Sequence, residues 1–283
     1  MSDFEDWIGR EMRAADRLDP GLAARFSATF DLAAPQGEAM PQGIHFCLCT
    51  PTASTAQLGR DGHPARDDSP ASFLPPFPMP RRMWASSRIE FLAPLAIGAS
   101  IERISRVVSV KEKTGSTGSL AFVDVEHETL ADNAPAVREV QTLVYREAAA
   151  HDAPLAPAEP GDTRFGKAGW DAHTALTPST ALLFRYSALT FNTHRIHYDA
   201  PYARGEERYR GLVVHGPLTA SLLLQLAARE LGENALRFFE FRGMSPAIAG
   251  EVLHLVMRGG DDGYELGAFA GDGRQVMNAS ARV

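Results

Sequence analysis

The sequence predicts an α+β fold: two antiparallel sheets in tandem, each curved around a central helix, with the N-terminal copy degenerate. Three observations carry that expectation. Eight segments rich in β-branched and aromatic residues fall into two series of four. An Ala/Pro-rich stretch divides the 283-residue chain nearly in half. One segment, Leu218 to Ala228, is apolar almost all round, and such a helix needs protein on every side.

Taken in order, the N-terminus (MSDFEDWIGREMRAADRL) is acidic and lacks the apolar core of a signal peptide. It reads as a short amphipathic helix, with Ser2 and Glu5 in a capping box and Trp7, Ile8 and Met12 on one face. Cys47 and Cys49 stand too close for a relaxed disulfide, so they read as thiols in a reducing cytoplasm rather than as a framework or a metal site with His45. Residues Gly43 to Gly59 are the nearest thing to a central helix in the first half, but Pro51 interrupts them. The strands of the first series are Arg88 to Ala93, Ile101 to Val110, Leu120 to Thr129 and Val137 to Tyr145. Turns are expected at Gly115/Gly118 and at Asp132-Asn133-Ala134-Pro135.

The connector, Ala148 to Pro160, has the composition of an extended, semi-rigid linker. It sets the domain organisation as 1–147, a linker over 148–172, and 173–283. The second series comprises Leu236 to Arg242, Glu251 to Arg258, Tyr264 to Ala270 and Val276 to Val283. RIEFLAPLAIG and FFEFRGMSPAIAG lie over each other: Glu90-Phe91 matches Glu240-Phe241 at an offset of 150, and Pro94 and Gly98 match Pro246 and Gly250 at 152. With three strands after each copy, an internal duplication is the better reading. Before the apolar helix, Gly216 is placed at the N-cap and Pro217 in the first turn, with Gly232 just past the end.

Composition excludes several classes. Hydrophobic residues are 45% and charged residues 22%, ordinary for a globular protein. Net charge is -7 and no Lys/Arg run exceeds the pair Arg81-Arg82, which argues against a nucleic-acid partner. No stretch is long enough to span a bilayer, so no membrane partner is expected and the expected location is cytoplasmic. A tandem pair of sheets leaves monomer and homodimer both open. His63 in GRDGHP sits in a turn-rich stretch, and Arg66-Asp67-Asp68 beside it reads as solvent-facing. The proline-dense LPPFPMP (Leu74 to Pro80) reads as an ordered edge or a channel wall.

Polar groups concentrate in RYSALTFNTHRIHYD, where Asn192, His194, Arg195, His197 and Asp199 fall within eight residues. Downstream, Val213-Val214-His215-Gly216-Pro217 opens the buried helix. An exposed helix N-terminus offers free N–H donors to a developing negative charge, and a nearby His moves protons near neutral pH. Pro217 has no N–H, so Gly216 is the first donor, with Leu218 behind it.

The pairing of YSALTFNTHRIH with VVHGPL resembles the MaoC-like hydratases and dehydratases, in particular their hydroxyacyl-thioester dehydratase type 2 branch, which includes mesaconyl-CoA and itaconyl-CoA hydratases. PRRMW (Pro80 to Trp84) and RIEFLAPLAIG resemble that branch's N-terminal domain, so the likeness covers most of the chain. The resemblance implies a double hotdog fold, with a non-catalytic, substrate-shaping N-terminal half of the FAS1-like dehydratase type and a catalytic C-terminal half. It implies water addition to, or removal from, an enoyl-CoA or 3-hydroxyacyl thioester, with no cofactor and no metal. The broader family's Gly-Asp-x-Asn-Pro-apolar-His motif places its Asp on Asn192, its Asn on His194, its Pro on Arg195 and its His on His197. An amide cannot accept a proton at neutral pH, although the resemblance implies that the related branch carries Asn here too.

The roles that follow are proton transfer for His197, water orientation for Asn192, and thioester polarisation by Gly216 and Leu218 N–H. His194, Arg195, Arg204 and His215 are the further substrate-binding candidates. With Arg208 and Arg210, the two arginines are candidates for a clamp on a second carboxylate, as in mesaconyl or itaconyl thioesters, or for contacts with CoA phosphates. Two enzymatic alternatives stand: a thioesterase on the same fold, whose usual carboxylate is missing between Ala188 and Ile196, and a 3-hydroxyacyl-carrier-protein dehydratase. A non-catalytic subunit would be expected to lose the motif His and the clean helix start, both kept here. His197→Ala should slow hydration of an enoyl thioester by about 10²-fold or more, read as loss of enoyl absorbance; near-native turnover would remove His197 from the chemistry.

Overall fold

The computed structural model describes residues 4–33, 39–115 and 118–283. Its first half runs β1 (Glu11–Arg17), α1 (Pro20–Thr29), β2 (Arg81–Phe91), β3 (Ser100–Gly115), β4 (Gly118–Ala131) and β5 (Ala134–Arg146). The second half runs β6 (Ala172–Leu176), α2 (Thr180–Leu189), α3 (Ala200–Gly205), α4 (Gly216–Leu231), β7 (Phe238–Gly243), β8 (Leu253–Gly260), β9 (Gly263–Ala270) and β10 (Gln275–Arg282). All strand pairs are antiparallel, and the order is β1-β3-β4-β5-β2-β7-β10-β9-β8-β6. The eight strands expected from the sequence are all present. The two halves mirror each other about the β2–β7 seam, where Ile89 pairs with Phe239 at the same offset of 150 that the sequence repeat shows. Both of these side chains are fully buried.

The repeat extends to the first helix of each half. Asp19 caps α1 by accepting from Leu22 N, and Ser179 caps α2 by accepting from Leu182 N. Arg25-Phe26-Ser27-Ala28 and Arg185-Tyr186-Ser187-Ala188 occupy equivalent turns, and α1 packs on α2. Each helix ends through one left-handed residue, Asp31 (φ 52) or Phe191 (φ 48). After it Leu32 N donates to Ser27 O and Asn192 N to Ser187 O, each at 2.9 Å. Leu32 thus stands in the first half where Asn192 stands in the second.

α4 is the central helix, packed on β8 and β9. Leu218, Ala220, Leu223, Leu224, Leu226 and Ala227 are all buried, more than one stripe of a surface helix would place inside. His215 takes the N-cap position and Gly216 is the first helical residue, so the helix starts one residue earlier than the sequence reading put it. Gly232 closes the helix as expected. The first half has no counterpart: residues 43–59 form only the 3-10 turns Ile44–Cys47 and Thr55–Gln57, with Pro51 between them. Cys47 is a buried free thiol pushed up to about 12 by its burial, and Cys49 is a half-buried one.

Three further expectations need correction or refinement. The N-terminal helix is a single 3-10 turn, Glu5–Trp7; the residues after Arg10 pair as β1 along the edge of β3. A helix this short is marginal by itself, whereas the open strand edge supplies a full ladder of partners. Ser2 lies outside the described residues. The Asp132-Asn133 turn is present, both residues having positive φ (49 and 66), as a two-residue hairpin requires. At the other turn Gly115 pairs with Gly118, and 116–117 lie outside the described residues. LPPFPMP forms no strand: Phe77 and Met79 cover a separate cluster with Val107, Val110, Val123 and Tyr145, to which Phe4 and Trp7 add. The connector is extended, yet it is tied down, Ala156 N donating to Arg208 O (2.7 Å) and Arg210 N to Ala156 O (3.0 Å).

Because α4 is enclosed, Leu223→Ala should cost about 2–5 kcal/mol of unfolding free energy in urea titration. Phe184→Ala, at a side chain 70% exposed on α2, should stay within about 0.5 kcal/mol of the parent chain.

Candidate active site

The polar run after α2 folds as a loop and one 3-10 turn, Arg195–His197, held against the segment that leads into α4. Val213 makes both ties: its N–H donates to Ile196 O (2.9 Å), and its carbonyl accepts from His197 Nδ1 (2.7 Å). A carbonyl oxygen can only accept, so Nδ1 carries the proton in the neutral ring and Nε2 keeps its lone pair. Nε2 makes no hydrogen bond among the described residues. Burial lowers His197 to about 4, against the opposing pull of the Val213 bond, and His63 lowers it further. At neutral pH the ring is an uncharged base.

His197 lies flat on His215, ring centroids 3.5 Å apart at 18°, and His215 is the N-cap residue of α4. His215 Nε2 pairs with Ser187 Oγ at 2.9 Å, which anchors the stack to α2. His194 meets His197 edge to face at 5.5 Å. Burial drives both His194 and His215 far below the usual imidazole range, and the neighbouring histidines push the same way. Three neutral imidazoles therefore adjoin a helix start whose first N–H groups, Gly216 and Leu218, have no intrahelical partner. A Cβ added at Gly216 would meet only Trp84 O, at 3.9 Å, so β2 of the first half passes close by.

The expected site residues are distributed as follows. His194, His197, His215 and Gly216 come together. Asn192 is on the same loop, but its Oδ1 accepts from His194 N (2.9 Å) and so shapes the loop rather than touching His197. The arginines of the expected clamp make these contacts: Arg195 donates to Asp199 Oδ2 (3.0 and 2.7 Å) and stacks over Tyr202, Arg204 donates to Arg210 O (2.5 Å), Arg208 to Ala153 O (2.8 Å), and Arg210 pairs with Glu251. Arg204 and Arg208 thus commit one N–H each to a carbonyl and keep the other donors of the guanidinium.

The first half contributes what sequence reasoning missed. His63 sits against His194, centroids 4.1 Å apart, and its Nδ1 pairs with Asp61 Oδ2 at 2.9 Å. Ligand atoms of Asp61, His63 and His194 lie within 4.8 Å of one another, the arrangement here that could hold a metal ion. Burial alone would raise the Asp61 carboxyl, but the His63 bonds and charge, with Arg82 beyond, hold it below its ordinary value. The signal available was Asp and His flanking a glycine in GRDGHP; nothing local said which loop it would meet. A cavity of about 110 Å³ lined by Met40, Ile44, His45, Phe91 and Leu236 is lined by none of the expected site residues.

A family model described as hydroxyacyl-thioester dehydratase type 2 matches residues 43–249. The chain is 38% identical to the mesaconyl-C(4)-CoA hydratase of Chloroflexus aurantiacus over 288 aligned positions, covering 100% of this chain and 98% of that protein. Its fold is similar to that of a MaoC-like dehydratase from Phytophthora capsici (TM-score 0.68, 16% identity, 97% and 95% of the two chains). It is also similar to a Mycobacterium tuberculosis protein described as having a double hotdog fold (TM-score 0.60, 15% identity, 97% and 95%). The architecture is a double hotdog.

Burial of neutral imidazoles makes stability depend on pH. His197 at about 4, and His45 and His127 at about 3, all lie below the ordinary 6.5, so the unfolded chain binds protons first as pH falls. The stabilisation is complete above about 6.5 and is lost as pH drops toward the folded values. Calorimetry should show the melting temperature falling by at least about 5 °C between pH 7.5 and 5; a flat profile would contradict the burial.

Proposed function

The chain belongs to the hydroxyacyl-thioester dehydratase type 2 family, and on that premise we propose that it catalyses reversible addition of water across the double bond of an enoyl-CoA thioester. It acts as a carbon–oxygen lyase in the dehydrating direction. The observation that carries the reading is His197: a neutral imidazole with Nδ1–H fixed on Val213 O, its Nε2 lone pair free, stacked on the N-cap of α4. Nε2 takes a proton from water as the oxygen bonds to Cβ. The electron pair moves toward the thioester oxygen, where Gly216 and Leu218 N–H groups receive it. Asn192, its Oδ1 occupied, has its amide N–H groups left to orient the water.

The substrate class we favour is a short branched dicarboxylic acyl-CoA, by analogy with the relative named mesaconyl-C(4)-CoA hydratase. With Arg195 engaged by Asp199 and Arg60, we favour Arg82 as a partner for the second carboxylate. It is half-buried on β2, adds to the field at Asp61 and His194, and has no carboxylate within ion-pair distance among the described residues. No helix among the described residues is long and apolar enough to cross a membrane.

The test is a panel of enoyl-CoA thioesters offered to the purified chain, followed by absorbance and by thiol titration. Mesaconyl-C4-CoA should lose its enoyl absorbance without releasing thiol, and faster than crotonyl-CoA. Thiol release with the double bond intact would make the enzyme a thioesterase instead.

A further inference from the structure

We propose that the loop Arg60–His63 of the first half supplies the second acid–base group of the site, His63 delivering the proton to Cα while Asp61 fixes its tautomer. The proposal rests on the hydratase reading above and assigns it a residue that the C-terminal motif does not contain. Hydration takes a proton from water and gives one to Cα, and Asn192 can do neither, so a second group beside His197 would let the two transfers proceed together.

The geometry is built rather than incidental. Three hydrogen bonds clamp the loop to the motif across more than 130 residues of sequence: Thr193 Oγ1 to Gly62 O (2.5 Å), Arg195 N to Asp61 O (2.8 Å) and Arg195 Nη1 to Arg60 O (3.0 Å). Gly62 has φ +88, and a Cβ there would lie 2.0 Å from Thr193 O, so only glycine permits the approach. The clamp lays the His63 ring on His194, one ring away from His197. The side chains of His63 and Asp61 keep 21% and 23% of their accessible surface, so the pair is shielded yet reachable.

Asp61 Oδ2 accepts from His63 Nδ1, which leaves Nε2 as the exchanging position. In the forward step a water O–H breaks to His197 Nε2, a C–O bond forms at Cβ, and Cα takes the proton from His63 Nε2. The proton on His197 and the vacancy on His63 are then evened by exchange with solvent. The groups facing His63 are Asp61 on its own loop and His194 and His197 from the motif; Arg82 from β2 acts on Asp61 and, with Arg81, on His194, and Arg195 and Tyr202 adjoin Asp61.

Wild type, His63→Ala, Asp61→Asn and Gly62→Ala would be compared in the intact chain with mesaconyl-C4-CoA, with thermal melts as the folding control. His63→Ala should cut kcat by about 10²-fold, with KM little changed. Asp61→Asn, which keeps the backbone bond to Arg195, should lower kcat by about 10-fold or more. Gly62→Ala should lose activity while both side chains remain. In D2O, wild type should wash deuterium into Cα of the hydrated product, and His63→Ala should slow this at least as much as turnover. Near-native kcat and an unaltered rate of deuterium incorporation at Cα in a folded His63→Ala would overturn the proposal and leave the hydratase reading intact. A wild type that hydrates none of the panel would overturn both. Activity removed by EDTA and restored by Zn2+ would make Asp61, His63 and His194 a metal site and overturn the acid–base role.

Discussion

The pairing of β2 with β7 is the contact on which the rest of the molecule depends. Five residue pairs from Ser86–Arg242 to Glu90–Phe238 join two half-sheets into one. Ile89 and Phe239 meet at its centre with no exposed surface, so the seam is part of the core and not a docking of finished domains. Once the seam forms, β2 runs beside the start of α4 and the segment ahead of β2 crosses the motif of the other half. Arg81 makes the same connection below the surface, its guanidinium paired with Glu207 (2.5 Å) and bonded to Tyr209 Oη (3.1 Å). A buried pair of this kind adds little net stability, but losing one partner strands a charge, so it constrains how the halves meet.

Within that frame the chemistry follows from two modest facts. A backbone carbonyl has no proton to give, which fixes the His197 tautomer. Crowding imidazoles away from water keeps them neutral, which makes the buried cluster basic in function without making it charged. The same burial makes the cluster costly at low pH. The free N–H groups of the α4 start lie next to that cluster because Val213 is bonded to the motif on one side and Val214 N to Ala247 O on the other. The position of His197 relative to the helix dipole is therefore set by backbone and not by rotamer choice.

Much of this was legible in the residues. The strands, the hairpin turn at Asp132-Asn133 and the enclosed helix all follow from local pattern, since alternation, turn chemistry and an all-round apolar face are properties of contiguous residues. The N-terminal segment misled because a helical spacing of Trp7, Ile8 and Met12 competes with a strand edge that local sequence does not show. The α1–α2 repeat was missed because the second copy had already been read as a functional motif. Aligned, it shows Leu32 in the place of Asn192, so the first half offers no polar side chain at that position.

What the sequence by itself determined is the inventory: eight core strands, one central helix, a duplicated architecture, and His194, His197, His215 and Gly216 near one another. Tertiary structure alone decided which groups are free. It committed Arg195 to Asp199 and Arg60, turned the oxygen of Asn192 into its own loop, and carried Asp61 and His63 from a turn-rich stretch to the edge of the histidine cluster. Spacing reports which residues share a face within a few turns, whereas the placement of Asp61 and His63 depends on hydrogen bonds between segments more than a hundred residues apart, formed only when the two halves close on a shared seam.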